Sequence, residues 1–293
     1  MSLTSYMVNR SFHKGDTIRD AGLTTPDDIK RYDHIQYGAD ATWNLLDLYC
    51  PKERHEKLPV IISVHGGGWV YGSKEVYQWY CMSLAQRGFM VVNFTYRLAP
   101  KFKYPAPIED TNQVFAWVLE HAKEYGMDKD RIFAVGDSAG AHMLALYTCI
   151  CTNPSYAKLY SFQTPESFVP KAIGLNCGVY DIFMAINDNA MGMMKRLMRD
   201  FLGKKFHENA VKANPIAYLT KEFPPVYLMT STGDFLLNQA PVLADKLDAL
   251  GVSYEYKIYG TNDDPLPHVF HCNIKTTDAK ICNDEETAFF LKQ

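Results

Sequence analysis

A chain of 293 residues, 47% hydrophobic and 13% aromatic, can bury a sizeable core as one large α/β domain or as two smaller ones. Its 30 Lys and Arg against 33 Asp and Glu leave a formal charge of −3 with no basic run, which argues against a nucleic-acid surface. The seven cysteines (Cys50, Cys81, Cys149, Cys151, Cys177, Cys272, Cys282) are dispersed, lack zinc-ligand or C-x-x-C spacing, and read as reduced core thiols of a cytoplasmic protein; neither a metal nor a cofactor is expected.

The opening "MSLTSYMVNRSFHKGD" is too polar for a secretory signal, and no apolar run approaches the ~18 residues of a membrane span, so a soluble, unexported chain without a membrane partner is expected. Residues 1 to about 40 read as polar and irregular. Strands are expected at "LPVIISVHGGG" (58–68) and "GFMVVNFTY" (88–96), then a helix where Phe115, Val118, Leu119 and Ala122 fall at i, i+3, i+4, i+7. "RIFAVG" (131–136) is a strand, and Ala141, Leu144, Ala145 and Thr148 repeat the helical spacing. "AIGLNCG" (172–178) is a strand; about 179–222 then exceeds any simple crossover and carries a stripe of Met194, Leu197, Met198 and Phe201 opposite Lys195, Arg196, Arg199 and Asp200. That stripe reads as core packing more readily than as a substrate surface. "PVYLMTST" (225–232) and "SYEYKIYG" (253–260) complete the strands.

Most of these strands are continuously apolar and therefore buried on both faces. Their alternation with helices predicts an α/β fold: a mostly parallel central sheet, helices on both faces, and ligands bound beyond the strands' carboxyl ends. No linker or repeat divides the chain. Residues 1–293 are expected to form one domain, with segments 1–40 and 179–222 as a small helical cap over that carboxyl edge.

Gly136-Asp137-Ser138-Ala139-Gly140 fits G-x-S-x-G between the strand "RIFAV" and a helix, the context in which a nucleophilic serine occupies a strained turn. A capping serine in a small-residue turn is the plainer alternative. Upstream, His65-Gly66-Gly67-Gly68-Trp69 follows "VIISV"; its uncovered backbone N–H groups suit an oxyanion hole formed by Gly67, Gly68 and Ala139. It lacks the Lys-Ser/Thr that a phosphate loop requires. Trp69 and Tyr71 are expected to line the pocket.

A serine hydroxyl needs a base, and this fold supplies its parts in the order Ser, acid, His. His268, in the loop "DDPLPHVFH" after the last strand, is favoured over His271; His121, His142 and His207 lie on helical patterns as surface or packing residues. For the acid, Asp234 follows a strand through Gly233, with Asp181 as the alternative and Asp263 and Asp264 as turn formers.

Together "HGGGW" (65–69), "YRLAP" (96–100) with "YPAPIED" (104–110), "GDSAG" (136–140), "GDFLLNQ" (233–239) and "HVF" (268–270) resemble the hormone-sensitive-lipase-like esterases of the α/β-hydrolase fold, over about residues 45–290. The resemblance implies Ser138 as nucleophile, His268 as general base, Asp234 as orienting acid, and Gly67, Gly68 and Ala139 as the oxyanion hole. It also implies a cap built from the two segments named above. Where the family often has D-x-L-x-D-E, this chain reads Asp234-Phe235-Leu236-Leu237-Asn238-Gln239 and lacks two carboxylates. Arg97 and Asp110 are expected to brace the loop beneath the site. The function expected is a serine carboxylesterase acting on small, short-acyl esters, with a homodimer left open. The rivals are an amidase or formamidase on the same triad, a non-catalytic small-molecule binder, and an interfacial lipase, the last disfavoured by the lack of a strongly apolar surface helix.

Overall fold

The apolar runs assemble around one sheet. Its strands are β1 (Ile29–Gln36), β2 (Leu45–Pro51), β3 (Leu58–Val64), β4 (Met90–Phe94), β5 (Met127–Asp137), β6 (Ile173–Asn176), β7 (Val226–Ser231) and β8 (Tyr254–Tyr259). In the computed structural model, which describes residues 2–54, 56–188 and 192–293, they are ordered β1-β2-β4-β3-β5-β6-β7-β8. From β4 to β8 every neighbouring pair is parallel; β2 is antiparallel to both β1 and β4. In β3 and β5, Val60, Ile62, Ile132 and Ala134 face one core cluster while Ile61, Phe133 and Val135 face another. That two-sided burial is why these strands read as unbroken apolar runs.

The helices are α1 (Leu3–Asp20), α2 (Lys74–Ala85), α3 (Ala106–Tyr125), α4 (Ala139–Thr152), α5 (Pro154–Ala157), α6 (Ile182–Asn187), α7 (Met193–Leu202), α8 (Phe206–Lys212), α9 (Gln239–Leu250) and α10 (Thr277–Leu291). Phe115 and Val118 of α3, Leu144 of α4 and Leu243 of α9 pack into the first cluster, and Tyr77 and Tyr80 of α2 with Phe289 and Phe290 of α10 into the second. Helices therefore cover both faces. Among the described residues no helix is long and apolar enough to cross a membrane.

The first 40 residues depart from expectation, because they hold an 18-residue helix and a strand. Only Ser5 and Val8 of α1 are buried, too few to print a periodic stripe on the sequence. Polar contacts hold the helix instead. Ser2 caps it and donates to Asp200 of α7, Asn9 Nδ2 donates to Val70 O at 3.0 Å, and Arg19 donates to Val76 O at 2.9 Å.

Strand β2 was hidden by the charge at its centre. Asp47 is buried, and Lys74 Nζ lies 3.0 Å from it; the two side chains are 3% and 2% exposed. The Tyr49 hydroxyl, at 3.0 Å, and the His34 N–H, at 2.8 Å, also donate to the carboxylate. Lys74→Met would strand a buried anion, so a loss of roughly 3–5 kcal/mol is expected, read as a lowered urea midpoint.

In the second irregular segment, residues 189–191 lie outside the described ones. Met194, Leu197, Met198 and Phe201 of α7 are buried as core packing, and Lys195, Arg196 and Arg199 are exposed. Helix α7 meets the loop after β3: Phe201 stacks on Trp69 with ring centroids 5.2 Å apart, and a Cβ on Gly68 would sit 3.3 Å from Leu197 Cδ1. All seven cysteines are unpaired, and six are buried.

Candidate active site

Strand β5 ends at Asp137 and α4 begins at Ala139, so Ser138 is the whole turn between them, at φ 51° and ψ −117°. A non-glycine residue in that region is strained, and its neighbours must be small. A Cβ on Gly140 would lie 1.9 Å from Val64 O, and one on Gly136 2.7 Å from the Gly140 carbonyl carbon. The Ser138 N–H donates to Asn176 O at 2.8 Å, tying the turn to β6. Asp137 Oδ1 accepts from Gly66 N at 3.1 Å and Oδ2 accepts from the Tyr77 hydroxyl at 2.7 Å; that hydroxyl also receives the Gly66 N–H at 3.0 Å. The serine turn and the glycine loop are thus held by one buried carboxylate. Burial pushes its pKa up to about 6, against the Tyr77 hydrogen bond and the nearby His268, which lower it.

Within the glycine loop, Gly67 has φ 115°, and a Cβ there would lie 2.2 Å from Tyr71 O. Among the described residues none accepts a hydrogen bond from the Gly67 or Gly68 N–H, and Ala139 opens α4, where a helix offers its N–H no internal acceptor. His65 sits beneath, stacked on Tyr96 at 4.0 Å and donating through Nδ1 to Gly66 O at 2.8 Å; burial pushes its pKa down to about 4.

The structure brings Ser138, His268 and Asp234 together in one hydrogen-bonded chain. His268 Nε2 lies 2.9 Å from Ser138 Oγ, and His268 Nδ1 lies 2.7 Å from Asp234 Oδ1. With a neutral imidazole the Nδ1–H donates to the carboxylate, which leaves Nε2 to accept from the serine hydroxyl. The Asp234 side chain is fully buried and that of His268 is 18% exposed. Asp234 also accepts from Leu236 N at 2.8 Å and from Thr230 Oγ1 at 3.1 Å. Burial works to raise its pKa, but the His268 hydrogen bond and charge and the Leu236 N–H outweigh it, and the net shift is downward. Gly233 makes the meeting possible: it bridges to Pro267, and a Cβ there would lie 2.6 Å from Leu266 O.

The alternatives go elsewhere. Asp181 caps α6, accepting from Phe183 N at 2.9 Å and Met184 N at 3.2 Å. His271 is buried edge-on to Tyr80, its pKa pushed down to about 3 by burial and then by the charges of His268 and Arg19. His142 accepts from Trp69 Nε1 and donates to Ala213 O as a buried packing residue; His121 is half-buried and His207 exposed. Arg97 does brace the loop beneath the site, reaching Asp110 at 2.8 Å and Glu109 at 3.0 Å. Trp69 is buried against α7, and the Tyr71 hydroxyl donates to Asp16 of α1 at 2.7 Å, so the two tie α7 and α1 to the loop. Gln239, where the family often carries a carboxylate, accepts from Tyr180 N and Asp181 N and donates to Asp181 O. An amide can do both; a carboxylate can only accept.

Among the described residues, two side-chain groups have donor sets that could hold a metal ion: Asp137 with His271 and Cys272, and Cys177 with Asp234 and His268, each with its ligand atoms within 4.8 Å of one another. In the second, Asp234 and His268 are already engaged with each other. Tyr77 and Phe235, whose ring centroid is 4.4 Å from that of His268, are the neighbours that sequence reasoning missed. Asp137 alone carried a signal, its place beside the serine.

Sheet order, serine turn and loop positions define an α/β-hydrolase fold. A family model described as BD-FAE matches residues 46–247, and the chain belongs to this family among the hormone-sensitive-lipase-like esterases. Esterase LipQ of Mycobacterium tuberculosis is 31% identical over 212 residues, which cover 70% of this chain and 49% of LipQ. Acetyl esterase of Salmonella schwarzengrund is 27% identical over 269 residues, 87% of this chain and 76% of that protein. Crystalline Esterase B of Lactobacillus rhamnosis is similar at 26% identity and a TM-score of 0.89, with 99% of this chain and 96% of that one covered. A further structure of Esterase B involves a C4-C4 tributyrin phosphonate. The chain spans about half the length of the first curated relatives it matches.

Proposed function

We propose that this protein is a serine carboxylesterase for small, short-acyl esters. The observation that carries the reading is the hydrogen-bonded chain Ser138–His268–Asp234, at 2.9 and 2.7 Å. Ser138 Oγ attacks the ester carbonyl carbon while its proton passes to His268 Nε2, and Asp234 stabilises the imidazolium. The carbonyl oxygen, now an oxyanion, is received by the N–H groups of Gly67, Gly68 and Ala139. The C–O bond to the alcohol then breaks, His268 returns the proton to the departing oxygen, and an acyl-serine remains. Water, deprotonated by the same imidazole, attacks that acyl group and releases the acid and free serine.

Small substrates fit the approach of Leu197 to Gly68, which places a cap side chain against the proposed oxyanion loop. The acetyl esterase and the tributyrin phosphonate found among similar proteins point the same way. We read the chain as one domain capped by α1 and α6–α8, supported by the Ser2–Asp200 and Trp69–Phe201 contacts. Seven unpaired cysteines support a reducing, cytoplasmic setting.

The test is hydrolysis of p-nitrophenyl acetate, butyrate, octanoate and palmitate. Turnover is expected to be highest on the two short esters and to fall steeply at octanoate. Preference for an anilide over its matched ester would instead mark an amidase, inertness toward every ester a binding protein, and a jump in rate above the solubility limit a lipase.

A further inference from the structure

Phe235 is a large apolar side chain left in solvent: it is 64% exposed, and its ring lies 4.4 Å from the imidazole of His268, centroid to centroid, at 47°. The backbone holds it there. Asp234 N donates to Ser231 O, Leu237 N to Asp234 O, and Leu236 N to the Asp234 carboxylate, so residues 234–237 form a fixed turn. Leu236 takes the buried side of that turn, and Phe235 takes the outer side.

On the reading of Ser138, His268 and Asp234 given above, the position of this ring has a chemical meaning. An imidazole that returns a proton to the departing alcohol must have that oxygen within hydrogen-bond reach of Nε2. The carbonyl oxygen is held on the other side, by the glycine loop. Whatever the alcohol carries beyond its oxygen therefore passes beside His268, where Phe235 offers an aromatic face that is already exposed and needs no rearrangement. We propose that Phe235 is the alcohol-side wall of the site and biases the enzyme toward esters of flat, apolar alcohols such as benzyl alcohols. An offset or edge-on contact between two rings yields about a 3- to 10-fold preference.

Benzyl acetate and ethyl acetate test this, because they share an acyl group and have alcohols of similar acidity, so they differ mainly in the ring. The ratio of kcat/KM for benzyl over ethyl acetate is measured in the wild type and in Phe235→Ala, Phe235→Leu and Phe235→Tyr. The proposal expects the ratio to fall about 5-fold in Phe235→Ala, chiefly through KM for benzyl acetate, to fall less in Phe235→Leu, and to be kept in Phe235→Tyr. An unchanged ratio in Phe235→Ala overturns it. So does a parallel loss on both esters with a displaced pH profile, which would mean that the ring acts on His268 rather than on the alcohol. Failure of the underlying reading is distinct: neither acetate is hydrolysed by the wild type, or hydrolysis survives Ser138→Ala.

Discussion

Ser138→Ala is expected to lower kcat on p-nitrophenyl acetate by roughly 10⁵–10⁶-fold. The serine hydroxyl is the partner of His268 Nε2, at 2.9 Å, and the substitution removes it. The fold should not suffer: alanine keeps the Ser138 backbone donor to Asn176 O and fits wherever the serine Cβ fits. His268, partly exposed, can replace the lost hydroxyl with water. Thermal unfolding should therefore occur within a degree or two of the wild type. Activity that persists in a folded Ser138→Ala protein would move the nucleophile elsewhere and end the proposed mechanism.

Asp234→Asn is the second large effect, at ~10⁴-fold in kcat. An asparagine still fills the space but presents an amide that lets His268 settle in the wrong tautomer, with its lone pair turned away from the serine. Asp181→Asn is the control, because asparagine caps a helix about as well as aspartate; the bonds to Phe183 N and Met184 N persist and activity should be kept. Comparable losses in the two variants would refute the assignment of the acid. A pH signature accompanies it. The carboxyl of Asp234 is lowered by folding, so the stability it contributes is present above the ordinary carboxylate value of 3.8 and lost as pH falls through its lower folded value. Acid unfolding of Asp234→Asn should lack that component.

How much of this could be read beforehand followed from burial. Strands β3 to β7 announced themselves because both faces are apolar, and the Ser138 turn, the glycine loop and the His268 loop stood out because strand-to-loop turns leave few residue choices. Helix α1 did not, since hydrogen bonds to Val70 O and Val76 O and the cap to α7 replace an apolar stripe. Strand β2 was obscured by Asp47, whose charge is answered by Lys74, 27 residues away. Tyr77 is another such case: nothing in its surroundings marks a tyrosine whose hydroxyl joins Gly66 to Asp137 across 60 residues of chain. Pairings of this kind depend on tertiary geometry, which a single sequence does not carry. The Asp234-Phe235 turn lay between: the pairing of Asp234 with His268 was legible from its strand-end position, and the exposed ring beside it was not.

On the proposed mechanism, turnover is also a clock for folding. Ser138 and His268 are 130 residues apart in sequence, His268 and Asp234 are 34 apart, and the histidine hangs on a loop beyond β8, the outermost strand of its side of the sheet. Long-range closures of this kind form late, after local helices and adjacent strands have condensed. During renaturation, tryptophan fluorescence should thus return ahead of ester cleavage, and the lag between the two signals measures the docking of the final strand and its loop. Any partly folded species would be silent in an activity assay however native its circular dichroism looked.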